Sequence, residues 1–280
     1  MSQKMRVAFV TPEFAPLATE GSQPDFCTAL PRRLSSHGVE VSVFMPKYRT
    51  REIESLTLVP VSPELWVPVG EEKVKASVFR GEVRKQTIYF IDNPKYFLRD
   101  KIYGPPSGHY LDNDERFVFF CRAVLEFLLQ GGLAFDVIHC NHWPSALIPV
   151  FLKTHYAGAF PFRDVAAVLT VLDPGQEGEF PAESLAWTGL NWDLFTPEKL
   201  ALNGRFNFLK AGLIFTDVVS LAEAGSPGAN RVEKFGPGLG EVLESRKEVC
   251  YSIRGGNGCR DYVRVYRIAL ELKRGGHIVH

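Results

Sequence analysis

Three polar clusters in this 280-residue chain stand where an α/β protein does its chemistry. The first follows the apolar run MRVAFVT, where Glu13, Thr19, Glu20, Gly21, Ser22 and Asp25 precede a helix-like stretch. Backbone N–H groups at the start of such a helix can hold an anion. A phosphate loop, however, wants several glycines, whereas this loop has only Gly21, and Glu20 and Asp25 oppose an anion. Taken alone, these residues read as an ordinary strand-to-helix turn. The second cluster is HCNHW, with His139, Cys140, Asn141 and His142. Along a strand, His139 and Cys140 point to opposite faces, and so do His139 and His142. No CxxC or HExxH accompanies them, and zinc needs three or four converging ligands, so no metal site is expected. The bland reading is a strand-end histidine satisfied by backbone. The third cluster, LTVLDPGQEGEFP, offers Asp173, Glu177 and Glu179 as acids or bases. Carboxylates in a Gly/Pro loop are ordinarily just solvated, and no nucleophile-elbow glycine pattern is present.

Strands must end at these clusters for them to work together. MRVAFVT reads as a buried strand, DFCTALPRRLSSHG as a helix with Asp25 as N-cap and Gly38 as stop, and VEVSVFMP as a second strand. That βαβ unit predicts a parallel sheet. Between Leu56 and Asp92, short alternating segments separated by turn residues predict hairpins added to the main sheet. DNDERFVFFCRAVLEFLLQGG is the clearest helix, started by an Asp and ended by a Gly pair. FDVIHCN and DVAAVLTVLD read as buried strands ending in polar residues, and FNFLKAGLIFTDVVSL as a helix running into a strand. In open α/β sheets ligands lie outside the carboxyl ends of the strands, where all three clusters fall. After Arg254, GGNGCRDY is a turn-rich break and VRVYRIALELKRGG a basic amphipathic segment. Residues 1–254 therefore read as one α/β domain and 255–280 as a terminal appendage.

The 32 basic and 32 acidic side chains cancel, leaving no whole-molecule field to draw in nucleic acid. No apolar run reaches the ~18 residues of a membrane span. The start MSQKMRVAFV does not read as a signal peptide. Five cysteines without paired spacing read as reduced thiols of a cytoplasmic protein.

Several stretches, in order along nearly the whole chain, point to one family. PEFAPLA, DFCTALPRRLSSHGVEVSVFMPKY, YFLRDKIYG, YLDNDERFVFFCRAVLE, DVIHCNHWPSALIP, LTVLDPGQEGEFP, FNFLKAGLIFTDVV and GPGLGEVLESR resemble the N-terminal domain of bacterial glycogen synthases and plant starch synthases, glycosyltransferase family 5. The run of Tyr110, Asp112, Asn113, Arg116 and Phe117 is the most specific match. The resemblance implies a Rossmann-like, doubly wound, mostly parallel sheet with a β-hairpin insertion, the N-terminal half of a two-domain glycosyltransferase B-type fold. It implies an activity too, transfer of glucose from ADP-glucose to an α-1,4-glucan in the cleft between the domains. The second domain supplies most nucleotide-sugar contacts. On this resemblance IRGGNGCRDY is a hinge remnant, and the second domain is expected to be missing.

The same resemblance exposes departures. The family's Lys-x-Gly-Gly-Leu loop, which contacts the nucleotide phosphates, falls on Thr19, Gly21, Ser22 and Gln23. Losing the lysine forfeits a charge-assisted bond of about 1.5–3 kcal/mol. In the family's His-x-His-Asp-Trp, Asn141 replaces the second histidine and His142 the aspartate. Leu172 stands where a histidine contacts the transferring sugar, Asp173 replaces an asparagine and Gln176 a tyrosine. Ala222, Glu223 and Ala224 replace Val-Ser-Pro. Pro16, Pro31, Gly38, Pro46, Trp143, Lys210 and Gly212 are kept. The expected eroded positions are thus Thr19, Asn141, His142, Leu172 and Asp173. Glu13, Gly21, Asp25, Asn113 and Trp143 are the substrate-binding candidates, and Arg116 either joins them or buttresses the fold. No metal or cofactor is expected, with ADP-glucose a donor only if transfer is retained. Whether the chain is itself an enzyme stays open, though activity alone is not expected. Three readings follow: a degenerate glucan-binding or regulatory module (a pseudoenzyme), the N-terminal subunit of a split transferase whose C-terminal domain comes from a partner chain, or a homo-oligomeric scaffold without a carbohydrate ligand. The basic tail either packs over the former inter-domain face or recruits an acidic partner.

Overall fold

The computed structural model describes residues 4–21, 24–173, 178–223, 235–236, 238–254 and 258–275. Its elements are β1 (Arg6–Val10), α1 (Pro24–Ser36), β2 (Glu40–Pro46), α2 (Arg51–Glu54), β3 (Val59–Val69), β4 (Glu72–Val83), β5 (Gln86–Asp92), α3 (Pro94–Phe97), α4 (Asn113–Gln130), β6 (Val137–Asn141), α5 (Leu147–Lys153) and β7 (Ala166–Val171). There follow β8 (Glu179–Phe180), α6 (Leu185–Thr188), β9 (Ala201–Leu202), β10 (Arg205–Asn207), α7 (Phe208–Phe215), β11 (Val218–Glu223), α8 (Leu239–Ser245), β12 (Cys250–Arg254) and α9 (Gly258–Lys273).

One nine-stranded sheet, in the order β12-β11-β7-β6-β1-β2-β5-β4-β3, runs through the molecule, and β8, β10 and β9 form a small antiparallel ribbon. From β12 to β5 neighbouring strands pair in parallel, while β4 and β3 add the antiparallel hairpin that the alternating segments predict. The central strands β6 and β7 are buried at every residue, as strands covered on both faces must be. The edge strand β3 carries Pro60, Pro63 and Pro68 and breaks register twice along β4. Prolines and bulges on an edge blunt further strand pairing, so the half-exposed Trp66 sits on a guarded edge.

Two helix starts differ from the expectation. Asp25 is not the N-cap of α1, because the helix begins at Pro24 and places Asp25 inside the first turn. Proline is preorganised for the first helical position, and an acid one residue later still meets the positive end of the helix dipole. Asp112 precedes α4 but makes no side-chain cap bond. Its carboxylate is gripped by both terminal nitrogens of Arg99, at 2.7 and 2.5 Å. Gly38, at φ +82°, does follow the end of α1 as expected.

The amphipathic tail segment forms α9, and its Tyr262, Val265, Tyr266 and Ala269 are buried. It packs beside α1 and against β7, β11 and β12. Polar groups fix its position. The ring nitrogens of His139 on β6 lie 2.7 Å from the Tyr266 hydroxyl and 2.6 Å from Thr170 Oγ1 on β7. The Tyr262 hydroxyl lies 3.2 Å from Thr170 Oγ1 and 2.7 Å from Ser220 Oγ on β11. His139 is thus a satisfied core histidine, held by side-chain hydroxyls rather than by backbone. All five cysteines are buried free thiols. Among the described residues, no helix is long and apolar enough to cross a membrane.

Tyr266→Phe keeps the ring packing and leaves one His139 nitrogen buried without a partner. It should lower stability by about 1–3 kcal/mol in urea unfolding, with little change in the slope against denaturant.

Candidate functional site

β1, β6 and β7 are adjacent in the sheet, so the three polar clusters meet along one edge. Past Val10 the chain turns sharply. Thr11 Oγ1 donates to Glu13 O at 2.8 Å, and Ala15 N donates to Thr28 Oγ1 at 2.7 Å, pinning the loop to α1. The Glu13 side chain then turns back into the loop, fully buried. It accepts from Glu20 N at 3.0 Å, Gly21 N at 2.7 Å and the Tyr103 hydroxyl at 2.7 Å. Burial pushes its pKa up, and these three bonds partly offset that rise. A Cβ on Gly21 would come within 2.6 Å of Glu13 Oε1, so a larger residue here has to displace the Glu13 carboxylate. The loop is therefore more than a plain strand-to-helix turn, since its N–H groups close around an internal carboxylate. Glu20 in turn accepts from Ile102 N at 2.6 Å and lies 3.4 Å from Lys101 Nζ. Thr19 and Asp25 are exposed. Ser22 and Gln23 lie outside the described residues.

At the end of β6, Asn141 Nδ2 donates to Val10 O at 3.0 Å, tying two strand ends together. Among the described residues its Oδ1 has no hydrogen-bond partner, and neither has either ring nitrogen of the fully buried His142. His142 sits at φ +62°, a left-handed backbone that a non-glycine residue rarely adopts. Burial lowers its pKa to about 4, although the nearby Asp173 charge pulls the other way, so the ring is neutral near pH 7. Leu172 and Asp173 are half-buried just past β7. Gln176, Glu177 and Ala224 lie outside the described residues.

Trp143 follows directly and is only 5% exposed. Phe117 meets it edge-on at 4.8 Å between centroids, with Phe180 at 5.7 Å and Tyr103 at 6.0 Å. Gly178, at φ +63°, approaches so closely that a Cβ there would lie 2.5 Å from the indole. At the start of α4, Asn113 Nδ2 donates to Tyr103 O at 2.8 Å, and its Oδ1 accepts from Arg116 Nη1 at 2.5 Å. Arg116 is fully buried. It donates to Tyr96 O at 2.8 Å and Ile102 O at 2.9 Å, and its guanidinium lies 5.0 Å from the Tyr110 ring and 5.4 Å from the Phe117 ring. Arg116 buttresses the 96–103 segment from within, and desolvation lowers its pKa.

Asn113 and Trp143 meet at a cavity of about 480 Å³ lined also by Tyr103, His109, Tyr110, Leu111, Gly178, Glu179, Phe180, Pro181 and Arg205. Its walls are aromatic. Among the described residues, Glu13 and Gly21 pair with each other and connect to this cavity through Tyr103, and neither they nor Asp25 line it. Tyr103 belongs to a stretch that sequence comparison singles out, but nothing there marks its hydroxyl as the link to Glu13. Glu179 was visible only as one acid in a loop, and Arg205 gave no signal. No three His, Cys, Asp or Glu side chains converge as a metal site among the described residues.

Comparison with known proteins agrees with this fold. The sequence profile of the starch synthase catalytic domain matches residues 6–244. A glycogen synthase from Koribacter versatilis is 37% identical over 253 residues, covering 90% of this chain and 52% of the relative. One from Thermodesulfovibrio yellowstonii is 35% identical over 266 residues, covering 90% and 54%. The catalytic domain of starch synthase IV from Arabidopsis thaliana, bound to ADP and acarbose, superimposes with a TM-score of 0.80 at 26% identity, over 92% of this chain and 53% of that one. The chain spans about half the length of the curated relatives it matches.

Two outcomes are expected. Gly21→Ala should cost about 1–3 kcal/mol in a melting experiment by forcing the Glu13 carboxylate off its three donors. His139 and His142 are held neutral at about 3 and about 4, against 6.5 for the free side chain. As pH falls the unfolded chain binds those protons first, so their stabilisation is complete above about pH 6.5 and drains away down to the folded values. Urea midpoints should therefore drop between about pH 7.5 and pH 5, and less steeply in His142→Asn, a residue that tolerates positive φ.

Proposed function

The chain belongs to the starch synthase catalytic-domain family, and from that premise we propose that this domain is a glucan-binding or regulatory module whose own transfer chemistry has lapsed. The observation that carries the reading is the loop after β1. A diphosphate needs N–H donors and a fixed cation. Here the N–H groups of Glu20 and Gly21 already serve Glu13, Thr19 brings no charge, and Glu20 adds a negative one. On the sugar side, Leu172 offers no hydrogen-bonding group where the family resemblance places a histidine. Transition-state stabilisation in glycosyl transfer depends on groups aimed at the leaving phosphate and the sugar ring, and these positions supply neither.

Beside the loop lies the aromatic cavity. Tyr103, Tyr110 and Phe180 offer faces suited to the apolar C–H faces of glucose rings, over a volume of about 480 Å³. The Arabidopsis relative is bound to ADP and acarbose, and of that pair the carbohydrate is the one this site suits. Asn113 and Trp143 act here by shaping the wall, since both are almost wholly buried.

Calorimetric titration of the purified protein with maltoheptaose, and separately with ADP-glucose, tests the reading. Binding of the glucan without the donor is expected. ADP-glucose binding would overturn the lapsed-donor reading and favour a transferase completed by a partner domain. Silence from both ligands would remove the glucan and leave an oligomeric scaffold.

A further inference from the structure

The cavity's polar capacity is narrower than its lining implies. The Asn113 amide is committed to Tyr103 O and Arg116, and the Tyr103 hydroxyl to Glu13. Setting aside the His109 ring, the charged side chains left on the lining are Glu179 and Arg205. They come from adjacent strands of the small ribbon, where β8 and β10 pair with Asn207 opposite Glu179 and Phe206 opposite Phe180. Alternation puts Glu179 and Arg205 on one face of that ribbon, diagonally across it. Arg205 Nε lies 2.6 Å from Glu179 Oε1, with the side chains 46% and 37% exposed.

We propose that the Glu179–Arg205 pair is the hydroxyl-reading element of this cavity, binding a vicinal diol of a neutral hexose unit seated against Tyr110. This rests on the glucan-binding reading above and specifies how the glucan is recognised. The pair holds itself in place through one nitrogen and one oxygen. Among the described residues nothing else claims either Nη group or Glu179 Oε2, so the former can donate and the latter accept. Adjacent hydroxyls of a hexose can match that set, one accepting from Nη and the other donating to Oε2. The pair is net neutral, so it favours a neutral polyol over a phosphate or a cation. Leu111, also on the lining, is fully exposed, an apolar side chain without cover. As an ordinary surface ion pair the two residues would contribute little to stability, so their removal should be felt in binding rather than in folding.

The test is maltoheptaose titration of the full chain and of Arg205→Gln, Glu179→Gln and the double variant, with Lys75→Ala as a control that breaks an exposed pair outside the cavity. Melting temperatures verify folding. Each single variant should weaken binding about tenfold or more, with the double variant little worse than either, because the pair acts as a unit. Lys75→Ala should bind as the wild type. If the wild type binds and the variants match it, the pair is not the reader and only this inference falls. If the wild type fails to bind maltoheptaose, the glucan reading falls and this inference with it.

Discussion

A buried carboxylate must have its lone pairs satisfied, and around Glu13 that requirement arranges much of what surrounds the site. Two backbone N–H groups of the following loop and the hydroxyl of Tyr103 converge on it. The loop therefore curls back over the end of β1, Gly21 leaves room for the carboxylate, and the 99–103 segment lies alongside. Glu20, brought round by the same curl, clasps Ile102 N and extends the contact. The result is an anion-holding geometry whose anion is part of the chain. Conductance of the constraint is direct: Tyr103, which serves Glu13 with its hydroxyl, turns its ring to Trp143 and lines the cavity.

The second support is a buried cation held through Nε and Nη1 by carbonyls rather than by a carboxylate, with Nη2 left without a hydrogen-bond partner among the described residues. Arg116 donates to Tyr96 O and Ile102 O and to the amide oxygen of Asn113, while aromatic rings border its guanidinium. The loop wall between α3 and α4 is thereby braced from the inside, and Arg99 with Asp112 braces it from the outside. A cavity with walls so held keeps its shape without a ligand, the condition under which a weak, neutral ligand binds at least cost in ordering.

The sheet was legible because its strands are apolar runs of the right length. β1, β6 and β7 read as buried from composition alone, and the alternating stretch from Leu56 to Asp92 announced the hairpin. Helix starts were less legible. An acid near a helix start is visible in sequence, but which partner claims it is not: Pro24 displaced Asp25 inward, and Arg99 took Asp112. The candidates Glu13 and Gly21 were legible as positions, whereas their mutual bond was not, since it depends on how the loop folds back. Asn113 stood out by its motif, and only the structure shows its amide turned inward. Glu179 and Arg205 belong to strands of two and three residues, too short to leave a periodic signal.

The contacts between α9 and the sheet also set an order of events during synthesis. His139 and Tyr266 are 127 residues apart. At translation rates of about 5–20 residues per second, roughly 6–25 s separate their emergence. Through that interval the faces of β6 and β7 that carry His139 and Thr170 have no helix to cover them. Closure of those faces waits on α9, whose Tyr262 and Tyr266 hydroxyls meet partners on strands already made.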